Sequence, residues 1–494
     1  MNLLDQIISW VSPAAGLARA RHRLQLDQVR RYEGAAHGRR TDSWLTRSTS
    51  ANAELQLALP KLRDRHRDLV RNNGWVLRAK QAVVAHTIGH GITSKLRANK
   101  TAQKRWNAWA NSTACDADGR HNWYGLQALI WGTVFEAGEC LIRRRWRRPE
   151  DGFAIPMQLQ VLEPDRLDHS KTELLDSGRI VQGVQFNAWG QRIGYWLFPE
   201  HPGDLIGVAA ASEFVAAADI LHIFRQDRPE QVRGVPWGAA NIVTVRDMDD
   251  CEDAFLFRQK IANCQVGVIY DENPQAPQGQ NQPAMSEAFQ PGRFDYLRPG
   301  QKIAFNTPPP ASDINPMLRH YLLRIAMTYG ITYAALTGDL TRVNFSSGRM
   351  GNIDMGRNIT QWQWLTLAPQ LLDPVVAWFG EALAMTGMAV RDLIADHGMP
   401  RREMIDPGKE IAAIVAAIRA GLTTLPAALR ELGEDADELL DEYAATNAVL
   451  DKLGLKLDSD PRNGTAKASK SGARSKRRVT TRAKSRPAAA AKAA

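Results

Sequence analysis

The sequence predicts a mixed α+β fold, with strands gathered in the first half of the chain and long helices in the second. Apolar residues recur at helical spacing over residues 55–84 and again over 318–329. Between 139 and 224, strand-like runs are separated by turn signals. Long helical patterns also flank a Pro-, Gln- and Gly-rich excursion at 266–311. These patterns predict two long helices that lead out to a small irregular module and back.

The basic charge of the chain is concentrated at its end. The 494 residues include 63 Lys and Arg and 53 Asp and Glu. Residues 461–494 hold 11 of the basic residues and no acidic one, so the first 460 carry 52 basic residues (63 minus 11) against 53 acidic ones. This tail has no apolar periodicity, which predicts a disordered polycationic extension. Such a tail is compatible both with a solubilising role and with nonspecific attraction to nucleic acid phosphates.

Length and cysteine usage limit the class of protein. The length allows about three domains. Cys115, Cys140, Cys251 and Cys264 lie far apart with no CxxC pair, which argues against a zinc ribbon or a disulfide-stapled scaffold. The N-terminus lacks a basic segment before its apolar run and an apolar stretch of roughly 18 residues after it, so we expect neither a signal peptide nor a membrane span.

The first half predicts helices followed by strands. Residues 17–40 have possible helical spacing, and the 55–84 pattern divides into two helices at the turn signal around Asn73. Residues 126–146 predict a helix that turns through Gly138 into a strand, with a partner strand at 154–164. Residues 180–186 and 192–198 predict a hairpin, and 220–224 a further strand.

Several polar clusters could carry chemistry but have simpler explanations. His86 and His90 are four apart but lack the Glu of the zinc-protease pattern. Residues 115–120 resemble the start of a calcium loop without its later ligands, which favours a turn. The cluster Arg143–Arg148 around Trp146 could grip nucleic acid, but we favour a solvated strand edge. We expect no metal and no cofactor.

The second half contains the most informative segments. Residues 237–263 predict a long helix with five acidic residues within seven positions: Asp247, Asp249, Asp250, Glu252 and Asp253. Strand candidates at 266–270 and 302–305 lie inside the excursion. The returning helix breaks at Gly330 into a polar loop that carries no nucleophile–base pair. We therefore expect a structural or conduit role, without enzymatic activity.

Nine segments spread over the chain form a recognisable series. They are RDLVRNNGW (67–75), HTIGHGI (86–92), CDADGR (115–120), LEPDRLD (162–168), GVQFNAWGQRIGYWLFPEHPGD (183–204), HIFRQDRPEQVRGVPW (222–237), RQKIANC (258–264), LTGDLTRVNFSSGRMG (336–351) and, at the C-terminal end, DPGKEIAAIVAAIRAGLTTLPAALRELGED (406–435). In their order and spacing these segments resemble the lambda-type portal family of tailed bacteriophages. The resemblance extends from about residue 15 to 455. The polycationic tail departs from the family pattern.

The resemblance implies a ring, usually of twelve subunits, at one capsid vertex, through which double-stranded DNA enters and leaves. Implied partners are further copies of the chain, DNA, the large terminase, the head–tail adaptor and the major capsid protein, with no membrane. Assembly would take place in the bacterial host cytoplasm before the protein becomes part of the virion. The implied divisions are an N-terminal arm and wing (1–234), stem helices (235–264 and 312–330), a clip (265–311), a channel loop (331–350), a wing helix (351–388), a crown (389–455) and a disordered basic tail (456–494).

The resemblance and the charge pattern together suggest three sets of site residues. Part of the acidic run at 247–253 would face the channel or a neighbouring stem. The channel loop would make brief, sequence-blind phosphate contacts; its residues are Asp339, Arg342, Asn344, Phe345, Ser346, Ser347 and Arg349. The tail would bind DNA nonspecifically through Lys476, Arg477, Arg478, Arg482, Lys484 and Arg486.

Two other classes of protein would leave parts of the sequence unexplained. A metal-dependent nuclease needs carboxylates that converge on its ions, whereas successive acids on a helix point around the cylinder. A monomeric nucleic-acid-binding or interaction protein would explain the tail but not the long-helix excursion. Loop residues that only pack against neighbouring subunits are a further alternative to DNA contact. No phosphate-cradling GxxxxGK[ST] motif is present, so energy for translocation would come from a partner.

Overall fold

The computed structural model describes residues 8, 10–30, 39, 42–43, 46–204, 211–263, 267–271, 301–305, 314–388, 392–400, 404, 406–434, 436–457, 460 and 462. The chain divides into two compact units, 1–400 and 401–494. The first unit mixes helices and strands, whereas the described elements of the second are helices. The predicted mixture of helix and sheet is confirmed.

The helices of the first unit are α1 (Pro13–Arg30), α2 (Ala51–Asn72), α3 (Gly74–Thr87), α4 (Lys100–Asn111), α5 (Trp123–Ala137), α6 (Ile242–Asn263), α7 (Asn315–Tyr329), α8 (Tyr333–Thr337), α9 (Phe345–Gln361) and α10 (Asp373–Met385). Its strands are β1 (Thr93–Leu96), β2 (Glu139–Trp146), β3 (Met157–Leu162), β4 (Glu173–Leu175), β5 (Gly178–Val181), β6 (Val184–Asn187), β7 (Arg192–Leu197), β8 (Glu213–Ala216), β9 (Ile220–Phe224), β10 (Gly267–Asp271), β11 (Gln301–Phe305) and β12 (Ala395–Gly398). The second unit contains α11 (Pro407–Arg419), α12 (Leu425–Glu431) and α13 (Ala436–Leu453).

Helix boundaries follow local chemistry that the sequence displays. The Asn73 side chain accepts hydrogen bonds from the backbone N–H groups of Trp75 and Val76, so it caps α3 where the turn was predicted. Gly138 ends α5 with φ of 90°, and an added Cβ there would lie 2.4 Å from the Val235 carbonyl carbon. The predicted helix-to-strand turn at Gly138 is confirmed.

The strands form two larger sheets. One has the order β3-β2-β9, and the other is the antiparallel series β4 to β8. Strand β2 separates two apolar cores: Cys140 and Ile142 belong to the core shared with the helices, whereas Leu141 faces the core under the five-stranded sheet. The predicted hairpin is confirmed as the antiparallel pair β6 and β7. Its first strand, predicted over 180–186, divides into β5 and β6 because buried Gln182 adopts a positive φ of 51°.

The prediction of a solvated edge for Arg143–Arg148 is wrong at Arg144. Strand β2 is the central strand of its sheet, and Arg144 is only 8% exposed. Its guanidinium pairs with Asp219 at 2.9 Å and Glu381 at 2.5 Å, and it lies over the rings of Trp146 and Trp378. Partners from distant parts of the chain therefore neutralise a charge that local sequence assigned to solvent.

The predicted out-and-back pair of helices corresponds to α6 and α7, which pack against each other. Strands β10 and β11 pair antiparallel between them in the sequence, which confirms the two strand candidates of the excursion. Helix α6 begins at Ile242, later than the predicted Trp237, since residues 237–241 form turns. Gly238 lies in these turns, where an added Cβ would come within 2.3 Å of the His66 ring. Most of the predicted clip lies outside the described residues.

One continuous helical rod runs from α9 through a π-helical segment at Trp362–Leu372 into α10. At 1.5 Å per residue it is about 60 Å long. The π-helical segment, whose hydrogen bonds span five residues, contains Pro369, which has no N–H to donate. Beyond it, β12 pairs with β1 in the first unit, so the segment predicted as the crown, 389–455, includes a strand of that unit.

Candidate functional site

The segment after α7 is a series of hydrogen-bonded turns. Gly330 and Gly338, with φ of 69° and 71°, end α7 and α8. The Asp339 carboxylate accepts hydrogen bonds from the Thr341 hydroxyl at 2.6 Å and the Thr341 N–H at 2.9 Å, and these bonds lower its pKa. Arg319 lies 4.0 Å away. Asp339 therefore holds the turn together.

Much of the segment predicted as the channel loop, 331–350, is helical in the structure. Phe345 begins α9, so Phe345, Ser346, Ser347 and Arg349 lie on a helix. The cause is a reciprocal cap: the Asn344 side chain accepts from the Ser347 N–H at 2.8 Å, and the Ser347 hydroxyl accepts from the Asn344 N–H at 3.0 Å. The irregular segment that remains is 338–344.

The residues expected to contact DNA lie together at the start of α9. Arg342, Ser346, Ser347 and Arg349 are exposed, and the Phe345 side chain is 56% exposed. The partial positive charge of a helix N-terminus adds to the two arginines. The start of α9, with Arg342 and Arg349, can attract phosphate oxygens without reading base sequence.

The acidic run on α6 is divided between two environments. Asp247, Asp250 and Asp253 are exposed, and Asp250 pairs with Arg246 at 3.2 Å. Asp249 is half-buried and accepts a hydrogen bond from the Asn73 amide at 2.7 Å. Burial raises the pKa of Asp249 and also that of half-buried Glu252. The run is therefore not one uniform acidic wall.

The predicted tail residues Lys476, Arg477, Arg478, Arg482, Lys484 and Arg486 lie outside the described residues. Of four tryptophans in the second half of the chain, Trp237, Trp362 and Trp378 are buried, whereas Trp364 is 49% exposed.

A buried ionic network was missed by sequence reasoning. Fully buried Glu139, at the start of β2, receives hydrogen bonds from Arg233 and His222 and from the Gly234 N–H. Burial alone would raise the pKa of Glu139, but the charge of Arg233 and the bonds from His222 hold it well below the usual range. The only local sequence feature that could have indicated this network was the acidic residue directly after Gly138, which ends the helix. Its partners lie 83 to 95 residues away, beyond the reach of local pattern.

Hydrogen-bond partners define the protonation state of His222. Its Nε2 lies 2.8 Å from Glu139, and its Nδ1 lies 3.0 Å from an Arg192 N–H donor. Since Arg192 can only donate, Nδ1 must accept, so the proton resides on Nε2. Burial lowers the pKa of His222 to about 4, which agrees with a neutral ring.

One group within the described residues has the composition of a metal site. Ligand atoms of Glu163, Asp165 and His201 lie within 4.8 Å of one another. However, Arg67 already donates to Glu163 at 2.9 Å and to Asp165 at 2.5 Å, and Arg63 lies 3.3 Å from Asp165. Arginines supply the positive charge, and a metal ion would have to displace them.

The profile described as "Phage portal protein, lambda family" matches residues 37–363. The chain belongs to this family. Relatives of this portal-family chain include the "Probable portal protein" of Halomonas phage phiHAP-1, 26% identical and matched over 86% of this chain and 88% of the relative. "Portal protein B" of Escherichia phage lambda is 22% identical over 86% of this chain and 90% of the relative.

Among solved structures, the portal-family chain is similar to a chain from "Virion of native gene transfer agent (GTA) particle", with a TM-score of 0.47 and 15% identity over 76% of this chain and 93% of that one. A chain from "Neck of native GTA particle computed with C12 symmetry" has a TM-score of 0.46 and 16% identity over 77% and 93%. No helix among the described residues combines the length and apolar character that a membrane crossing requires.

Proposed function

We propose that copies of this chain assemble into a closed ring, of twelve subunits as is usual in the family, at one vertex of a phage-type particle. The ring conducts double-stranded DNA during packaging and ejection. Membership of the lambda portal family over residues 37–363 is the observation that carries the proposal. The protein acts through shape and charge and does not catalyse a covalent step.

The distribution of charge supports a conduit. Duplex DNA carries one negative charge per ~1.7 Å of axis, so a strongly basic bore would hold it in place. The first 460 residues have nearly balanced charge, and α6 carries exposed Asp247, Asp250 and Asp253. In the proposed ring, Arg342 makes short-lived phosphate contacts, while exposed Asp247 and Asp250 on α6 discourage tight binding.

Under this proposal, the described elements take the divisions of a portal subunit. Helices α6 and α7 act as the stem, and the β10–β11 hairpin belongs to the clip that docks the large terminase and then the head–tail adaptor. The outer edge of the proposed ring contacts the major capsid protein within the virion. The described part of the second unit, a set of three helices, acts as the crown.

The proposal is tested on particles from cells that produce them. Gold-labelled antibody against the chain should mark a single vertex, and cells that lack the protein should yield heads without DNA. DNA-filled heads in its absence, or label spread over all vertices, would contradict the proposed function.

A further inference from the structure

A continuous groove runs between α2 and α6. Two adjoining hollows of about 520 and 430 Å³ share Asp68, Leu69 and Arg246 in their walls. The first includes Val243, a valine that is 66% exposed although it stands beside buried Ile242. The second is bordered by Asp249, Glu252 and Asp253. Charged side chains, among them Lys61 and Arg65, make up most of the first lining, so the groove has a mixed-charge end with one exposed valine and an acidic end.

The acidic end lacks enough positive charge of its own. Arg246 pairs with Asp250, and Asn73 gives Asp249 a hydrogen bond but no charge. Glu252 is half-buried, and burial, together with the neighbouring charges of Asp249 and Asp253, raises its pKa. A cationic side chain placed in this end would offset the cost of desolvating the carboxylates and reduce their mutual repulsion.

A complementary surface lies on the first turns of α9. Arg349, Met350, Ile353 and Arg357 share one face at helical spacing. Met350 is 67% and Ile353 44% exposed, and neither arginine has an ion-pair partner among the described residues. The arginines are two turns apart, about 12 Å. Asp354 lies at the margin of this basic apolar face.

We propose that the α2–α6 groove of one copy receives the basic apolar face of α9 from the next copy. Arg349 and Arg357 would meet the carboxylates of Glu252 and Asp253, while Met350 and Ile353 would cover Val243. This inference rests on the proposed ring and names its subunit contact. Because the two surfaces differ and belong to one chain, the contact is head-to-tail and can close a ring.

Charge exchange tests the pairing in the full-length protein. The pair Glu252→Lys and Asp253→Lys should lower the fraction of protein in rings at least about tenfold, as should the pair Arg349→Glu and Arg357→Glu, because each places like charges together. All four changes combined should restore rings. Glu173→Lys with Asp176→Lys, at exposed acids at the start of β4 and on the β4–β5 turn, is the matched control. Mass photometry measures the ring fraction, and circular dichroism verifies folding.

The outcomes separate this contact from the ring itself. If wild-type protein forms rings and either reversal leaves them intact, or the combined variant fails to recover, the contact is wrong while the ring survives. If wild-type protein never forms rings, the proposed function fails as well. A cysteine pair gives a second readout: Val243→Cys with Met350→Cys, with Cys251 and Cys264 replaced by Ser, should yield a ladder of covalent oligomers with a short bis-maleimide. Monomers alone from assembled rings would overturn the contact.

Discussion

Glu139 and Arg233 form a fully buried ion pair across 94 residues of sequence, with Arg233 Nη2 lying 2.5 Å and Nε 2.9 Å from the same carboxylate oxygen. The pair joins the start of β2 to the segment that leads into α6. Arg63, from α2, lies 3.6 Å from the carboxylate. A single carboxylate thus ties the sheet to two helical regions, and through them to the helix that carries the acidic run.

Removal of this charge should destabilise the first unit strongly. Glu139→Gln leaves Arg233 buried without its counter-charge and leaves Arg63 with Asp165 as its remaining carboxylate partner. Loss of one partner from a buried ion pair costs about 3–5 kcal/mol. We expect a clear fall in the thermal unfolding midpoint, measured by scanning fluorimetry on purified protein. Glu150→Gln, at an exposed acid, is the matched control, and equal midpoints for the two variants would contradict the role assigned to Glu139.

The network should also make stability depend on pH. The folded pKa of His222 is about 4, below the roughly 6.5 of an unfolded histidine. The unfolded chain therefore takes up this proton first, so stability is full above about pH 6.5 and is lost as the pH falls toward about 4. Protonation of this one residue in the unfolded chain lowers the free energy of unfolding by up to about 3 kcal/mol.

The corresponding measurement compares midpoints near pH 7 and about pH 5 for the wild type and His222→Gln. The wild-type midpoint should fall more steeply than that of the variant. Glu139 adds a loss in the same direction only below about pH 4.5, its ordinary range, since its folded pKa is depressed. Parallel slopes for the two proteins in the upper part of this range would exclude a neutral buried His222.

Asn344 can act as a helix cap or as a phosphate contact, and one substitution separates these roles. Asn344→Asp keeps a good cap but adds a negative charge, whereas Asn344→Ala removes the cap at a cost of about 1 kcal/mol. The capping bonds to Ser347 are present. We therefore expect particles that carry Asn344→Asp to fill with DNA normally, and the Asn344→Ala protein to have a lower free energy of unfolding. Poor packaging by Asn344→Asp, measured as DNA per particle, would instead assign Asn344 to phosphate contact.

Arg342 has no such structural role among the described residues. Arg342→Ala should therefore leave the unfolding midpoint unchanged and reduce DNA filling or retention, because a phosphate contact at the proposed channel tip is lost. Arg342→Lys retains the charge and should recover most of the filling. Unchanged filling with Arg342→Ala would remove this residue from the DNA-contact set.

The basic tail should determine affinity for free DNA but not assembly. Deletion of residues 461–494 removes 11 cationic residues and no acidic residue. Binding of duplex DNA should weaken and lose most of its salt dependence, since fewer counterions are released. A tail of the same length with Gln at every Lys and Arg is the matched control. DNA binding that persists unchanged in both variants would locate the affinity in the folded units.

Local features of the sequence predicted the elements whose causes are local. Asn73, Gly138 and Gly330 each end or cap a helix by a mechanism contained within a few residues, and all three boundaries appear in the structure. The α6 to α7 excursion followed from helical periodicity in the same way. The cap at Asn344 was equally local, with Ser three positions later, but the polar composition of the segment suggested a longer loop.

Features that depend on distant partners could not be predicted. Arg144 appeared solvated because Asp219, Glu381 and Trp378 are far away in sequence. The Glu139 network depends likewise on residues from separate strands and loops. The acidic run on α6 was recognised, but its division between solvent and the α2–α6 groove follows from the packing of α2, which sequence alone does not reveal.

The closed ring is the central claim, and electron microscopy of the purified full-length protein tests it most directly. The account predicts end-on class averages with rotational symmetry, about twelve subunits and an axial hole wide enough for a double helix. Single particles the size of one chain under all assembly conditions, or assemblies without a hole, would contradict it.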